Sequence, residues 1–240
     1  MSWSRIKAIA GKEFVSYFNS PIAYIFIGVF LIVSMWLFFQ DFFVAGQATM
    51  RSYLSLLPWI FLFLTPAITM RLWSEEKKTG TVELLLTMPV RDEEVVLGKF
   101  FSSLGFLLVN LLLSLTLPIT IALLGPLDWG PVIGGYIGAL LLGAAYLALG
   151  LYVSALTKNQ IVAFLLAVVA CFIFFIIGTN MVLDSVGTWL AGILSWLGLS
   201  AHFANVAKGV LDSRDIIYYL SFVLFFLWLN VRALQARHWN

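Results

Sequence analysis

The side chains able to do chemistry are few, and most sit together. Between Arg71 and Lys99 the chain reads RLWSEEKKTGTVELLLTMPVRDEEVVLGK, which holds 11 of its 26 lysine, arginine, aspartate and glutamate residues. Five are basic (Arg71, Lys77, Lys78, Arg91, Lys99) and six acidic (Glu75, Glu76, Glu83, Asp92, Glu93, Glu94). Mixed charge at this density suits complementary pairing with a soluble partner. A short charged island between two long apolar stretches is where a membrane protein meets something soluble.

Catalytic constellations are missing. Gly11-Lys12 and Gly98-Lys99 lack the upstream glycine of GxxxxGK[ST], whose backbone would cradle phosphates, and neither HExxH nor GxSxG occurs. The chain therefore cannot hydrolyse ATP by itself, and an integral-membrane enzyme is disfavoured. His202 and His238 lie far apart and fall on opposite sides of the expected topology; His202 reads as an outer-surface polar residue rather than a ligand or proton acceptor. Cys171 is the single cysteine, so no disulfide or thiol metal site forms within one chain, and it reads as a packing residue.

The elements that hold the island are apolar throughout. The 240 residues are 62% hydrophobic and 11% charged, with 21 Phe and 9 Trp, whereas soluble domains carry about 25% charged residues. A bilayer helix needs roughly 20 apolar residues, and this chain supplies several such runs. The runs are continuous rather than alternating, which excludes a membrane β-barrel. The expected fold is an all-α integral membrane protein with six transmembrane helices at 22–40, 53–72, 95–124, 132–156, 161–183 and 216–231, forming one domain over 1–240. The first apolar run comes late and has no small-x-small cleavage site, so it stays as a span rather than a signal peptide.

Residues 3–18 place Trp3, Ile6, Ile9, Ala10, Phe14 and Tyr17 at helical spacing, as an amphipathic helix lying in the interface plane would. Asn19-Ser20-Pro21 ends it. Within the island, Thr79-Gly80-Thr81 interrupts the chain, Val82–Leu86 forms a short helix, and Pro89 stops it. Asp92, Glu93 and Glu94 suit the start of the next helix, where acidic groups oppose the macrodipole. Residues 186–199 are apolar but only 14 long and broken by Gly187, Gly192 and Gly198, which fits a re-entrant or interfacial segment within 186–211. Trp189 and Trp196 suit a membrane interface.

Orientation follows from lysine and arginine. With six spans, eleven fall on one side and only Arg51, Lys208 and Arg214 on the other, which puts both termini and the island in the cytoplasm. A full span at 186–199 would send the basic tail, Arg232 and Arg237, outside and weaken the asymmetry. No acidic or basic residue falls mid-span, where an ion-coupled transporter would keep them, so energy is expected through the island. Asn110 and Thr116, near Pro118, are open to two readings: an interhelical hydrogen bond plus a kink, or the lining of a translocation path. Gly134xxxGly138, followed by Gly143 and Gly150, gives the fourth span a face for close packing within or between subunits.

PWIFLFLTPAITMRLWSEEKKTGTVELLLTMPV (Pro58–Val90) followed by VLGKF (Val96–Phe100) resembles the permease subunits of type-2 ABC transporters, most closely the gliding-motility-associated permeases. KEFVSYFNSPIAYI (Lys12–Ile25) and HFANVAKGVLDSRDIIYYLS (His202–Ser221) fit the same pattern, so the resemblance covers nearly the whole chain. It implies an elbow helix at 3–18, a coupling helix within 73–94 that docks on an ATPase, and re-entrant helices on the outer face at 186–211. On that reading Val82, Leu84, Leu85 and Leu86 fill an apolar cleft on the ATPase. Glu75, Glu76, Lys77, Lys78 and Glu83 pair at its rim, and Gly80 and Thr81 belong to the same contact. The implied assembly has two permease chains, as a homodimer or related heterodimer, and two ATPase chains, which bind ATP and Mg; this chain binds no cofactor, metal or nucleic acid. Its place would be the bacterial inner membrane, in contact with lipid, and its work the export or movement of a substrate. The alternative is a mechanotransmission subunit acting on an extracytoplasmic accessory protein without solute transport.

Overall fold

The computed structural model describes residues 2–46, 49–81, 90–209 and 212–236. Among them the regular structure is entirely helical. The expectations placed on Val82, Glu83, Leu84, Leu85, Leu86, Pro89, Arg237 and His238 lie outside the described residues. The helices are α1 (Trp3–Phe18), α2 (Pro21–Ala45), α3 (Arg51–Thr79), α4 (Asp92–Ser114), α5 (Thr116–Leu124), α6 (Trp129–Leu156), α7 (Gln160–Ile176), α8 (Asn180–Leu183), α9 (Thr188–Leu197), α10 (Leu199–Val206) and α11 (Ser213–Gln235). Their starts are written in short polar side chains. Ser20 accepts from the Ile22 amide ahead of Pro21, Asp128 from Gly130, Asn159 from Ile161, and Asp212 from Arg214, each supplying an acceptor to an otherwise orphaned helical N–H.

Among the described residues, five stretches are long and apolar enough to cross a membrane: α2, α3, α4 with α5, α6 and α11. The expected span at 161–183 is shorter as a continuous helix. It stops after the 17 residues of α7, about 26 Å at 1.5 Å per residue. The cause is backbone contact. Gly178 and Gly198 lie so close that a methyl group on either would collide with the other's main chain. Ser200 then donates to the Phe175 carbonyl at 2.6 Å, and Thr179 donates to that of Ile176 at 2.6 Å, meeting acceptors left at the helix end. The ten-residue α9 reaches only about 15 Å, so length alone keeps it from spanning, as the three glycines predict.

The expected span at 95–124 is broken near Leu115. Pro118 has no N–H to offer the Ser114 carbonyl, and the Tyr136 hydroxyl donates to that oxygen instead, at 3.1 Å. α3 carries two internal prolines, Pro58 and Pro66.

α6 is the centre of the bundle, packed against α3, α4, α7, α10 and α11. Its glycines decide how closely. Gly135, Gly143 and Gly150 leave space that is filled by Leu54, Leu107 and Thr69 respectively, from α3 and α4. Gly134 and Gly138 face the other way, towards the Val206 and Gly209 region at the end of α10. The GxxxG pair is thus used inside the subunit, to seat the α10 segment. By contrast α2 exposes Ile22, Ile25, Val29, Ile32 and Trp36, a stripe at helical spacing. α7 exposes Ile161, Leu165, Val169 and Phe172 in the same way. Exposed apolar stripes of this length belong against lipid or another chain.

α1 is amphipathic as expected, with Ile6 and Tyr17 buried. It lies lengthwise along α4: Ile9 fills the space over Gly98, Phe14 sits over Gly105, and Tyr17 stacks on Phe106 at 5.0 Å between ring centres. Contacts advance together along both helices, so α1 follows the first turns of α4 closely.

Candidate functional site

The charged island begins on the last turns of α3 and resumes at the start of α4. Its described members divide by the direction they face. Glu75, Lys78, Gly80 and Thr81 are exposed, and Gly80 closes α3 in the left-handed conformation, at φ 74°. Glu76 and Lys77, expected at the partner-facing rim, turn into the bundle instead. Lys77 is buried and donates through Nζ to the Ala155 carbonyl near the end of α6. Helical geometry is the reason: Trp73 and Lys77 are four residues apart and share the buried face of α3. Glu83, Leu84 and Leu85 lie outside the described residues.

Lys99, on α4, organises the inward half. Its side chain is 1% exposed, with Nζ at 2.6 Å from Glu76 Oε1 on α3 and 3.2 Å from Glu13 Oε1 on α1. It also stands 4.9 Å from the centre of the Trp73 ring, within range for a cation–π contact. One cation therefore joins three helices. Around it, the Tyr17 hydroxyl donates to the Ile68 carbonyl at 3.4 Å, and the Arg71 guanidinium lies 5.5 Å from the Tyr17 ring. Next to the ion cluster is a cleft of about 390 Å³ lined by Lys12, Glu13, Arg71, Glu75, Glu76 and Lys99 among others. A second tie comes from Glu94, which accepts from the Ser2 amide at 2.5 Å and pairs with Arg5 at 3.7 Å.

Ser154, on α6, completes the attachment. Its hydroxyl donates to the Met70 carbonyl at 2.9 Å and accepts from the Trp73 and Ser74 amides at 3.3 Å each. The end of α3 is thus fixed to α1 and α4 through Lys99, and to α6 through Ser154 and Lys77. The exposed Glu75 and Lys78 and the ties to those three helices belong to the same last turns of α3. Buried charge is costly unless paired, and here Lys99 and Lys77 each have a partner.

Sequence reasoning passed over Lys99 as a working residue, although a lone cation among VVLGKFFSSLGF is a visible signal. The two candidate path residues are not brought together. Asn110 is fully buried, and its Nδ2 donates to the Phe106 carbonyl of its own helix at 2.8 Å. Thr116 is exposed on α5 and donates to the Leu113 carbonyl at 3.1 Å. They share no wall. Asn110 Oδ1 has no partner among the described residues.

At the far end of the bundle is a network that the sequence did not signal. His202 on α10 pairs through Nδ1 with Asp215 Oδ1 of α11 at 2.6 Å, and its Nε2 lies 3.0 Å from the Trp196 carbonyl. Its ring stacks on Tyr218 with centres 3.9 Å apart. Tyr218 and Tyr219 donate to the Leu197 and Leu199 carbonyls at 2.5 and 2.9 Å. These bonds fasten the α9–α10 junction to α11.

A family model described as ABC-2 family transporter protein matches residues 7–195, well over half of the chain. No curated protein matches it.

Proposed function

The chain belongs to the ABC-2 transporter family, and on that premise we propose that it is a permease subunit worked by a separate ATPase. The observation that carries the coupling is the two-sided end of α3. Glu75 and Lys78 are exposed for a partner, while Glu76, Lys77, Trp73 and Ser74 bind that same end to α1, α4 and α6. Closure of an ATPase against the island would then move the bundle as a rigid body. The Val82–Leu86 segment supplies the apolar half of this contact through Leu84 and Leu85, with Glu83 pairing at its rim. α1 acts as the elbow helix, and residues 186–211 form the re-entrant region opposite.

On this reading the chain crosses the bacterial inner membrane six times, α7 being the shortest crossing, within the roughly 17–25 residues that suffice. Both termini share the cytoplasm with the island. Two permease chains and two ATPase chains make the assembly. ATP and Mg are held by the ATPase, and the cargo is exported. The test is to purify the tagged chain from its native membranes and look for an ATPase that co-purifies with it. Hydrolysis of ATP in the co-purified complex, with none by the chain alone, is the expected result. Failure of any ATPase to co-purify with the intact chain would defeat the reading.

A further inference from the structure

Away from the island, the surface along α3 combines two features that belong together on an amphiphile. The first is a cleft of about 570 Å³ near the start of α3, lined by Arg51, Ser55, Pro58, Phe175, Phe203 and Lys208 among others. Its walls are mainly apolar, and its two charged members are both cations. Both are exposed, and neither forms an ion pair among the described residues. Asp128, which lines an adjoining pocket together with Arg51, accepts from the Gly130 amide as the N-cap of α6. Two of the three basic residues assigned to that side thus converge on one cleft.

The second feature is a groove of about 470 Å³ between α2, α3 and α7, lined by Phe26, Phe30, Leu56, Ile60, Phe63 and Phe164 with other apolar side chains. It neighbours the cleft along α3, where Trp59, a groove residue, stands edge-on to Phe175 of the cleft at 5.0 Å. Trp59 and Phe63 are 47% and 57% exposed. From Leu56 to Ala67 the groove follows α3 for about 17 Å at 1.5 Å per residue. One leaflet of hydrocarbon is about 15 Å, half of a core of roughly 30 Å. Length, apolar lining and the charge at one end agree with a single leaflet lipid.

We infer that this surface binds an anionic phospholipid, its phosphate held by Arg51 and Lys208 and one acyl chain laid along the groove. Zwitterionic lipid would fill the groove equally well, so the two cations are the source of preference. Each cation near an anionic headgroup is worth about fivefold in affinity. The inference stands apart from the coupling reading, since Arg51 and Lys208, which set the preference, lie at the start of α3 and just after α10 rather than in the island. A chain that fails to bind an ATPase would still be expected to select its lipid.

Native mass spectrometry tests it, on the full chain exchanged into micelles with equimolar phosphatidylglycerol and phosphatidylcholine of matched acyl chains. Phosphatidylglycerol should be retained at least about fivefold over phosphatidylcholine. In the Arg51→Gln/Lys208→Gln variant the ratio should fall close to one with the melting temperature unchanged, because both side chains are exposed. Inorganic phosphate should not displace the bound lipid, since it has no tail for the groove. Equal retention of the two lipids by the native chain would overturn the inference, as would a preference that survives the double variant. So would near-complete disulfide formation between two copies bearing Phe63→Cys in a Cys171→Ser background, which would show the groove covered by a second chain.

Discussion

Replacing Lys99 by Met keeps most of the side-chain volume and removes the charge that joins α1, α3 and α4. Glu76 and Glu13 then remain beside the site with their side chains only 22% and 20% exposed. Breaking a buried ion pair costs about 3–5 kcal/mol. The partial exposure of both carboxylates lets water soften the loss, which puts the expectation at the lower end, about 3 kcal/mol. In a chain of this size each kcal/mol moves the midpoint by about 2–4 °C, so Lys99→Met should melt about 6–12 °C lower. The assay is thermal unfolding in detergent followed by fluorescence size-exclusion. Two further readings separate the mechanism from simple misfolding. Lys99→Met/Glu76→Gln should be more stable than additivity predicts, by at least about 1 kcal/mol, because the orphaned carboxylate is gone. Trypsin should also cut sooner at Lys7 and Lys12 in Lys99→Met, since α1 loses a tie to α4. A shift below about 2 °C together with additive behaviour would refute the three-helix clamp.

Two other expectations follow from the opposite end of the bundle and from the chain's path. His202→Ala leaves Asp215, 3% exposed, without its partner, and should cost about 3 kcal/mol; His202→Ala/Asp215→Asn should recover part of it, measured by the same melting assay, and an undiminished His202→Ala protein would contradict the pairing. Single cysteines at Leu190 and Ala236 in a Cys171→Ser background should react with a membrane-impermeant thiol reagent from outside and only after permeabilisation, respectively; outside labelling at both positions would rule out a cytoplasmic C-terminal end.

What was visible in the sequence was whatever repeats or stands alone. The apolar runs, the Ser20-Pro21 start, the glycine-broken stretch before the last span and the charged island all depend on near neighbours in the chain, and the described helices follow them. Facing was harder. Glu75, Glu76, Lys77 and Lys78 are four charges in a row, and only the continuation of α3 through them turns two inward and two outward. Gly134 and Gly138 announce close packing, but the partner, α10, is about 70 residues away and no local pattern names it. The same holds for His202 and Asp215, thirteen residues apart and paired only because α10 folds back on α11. The break at Leu115 was half visible: Pro118 frees a carbonyl, and the hydroxyl that meets it, Tyr136, belongs to another helix.

The central claim is that a separate ATPase drives this bundle through the island between Arg71 and Lys99. The most direct measurement is the amount of ATPase that co-purifies with tagged chains carrying Leu85→Asp or Glu83→Ala, normalised to chain recovered from the membrane fraction. A charge placed in the apolar half of the contact should reduce ATPase recovery at least about tenfold for Leu85→Asp, corresponding to about 1.4 kcal/mol or more of lost association. Glu83→Ala should cause a smaller loss, with membrane insertion unchanged in both. Native recovery of the ATPase with both variants would contradict the claim.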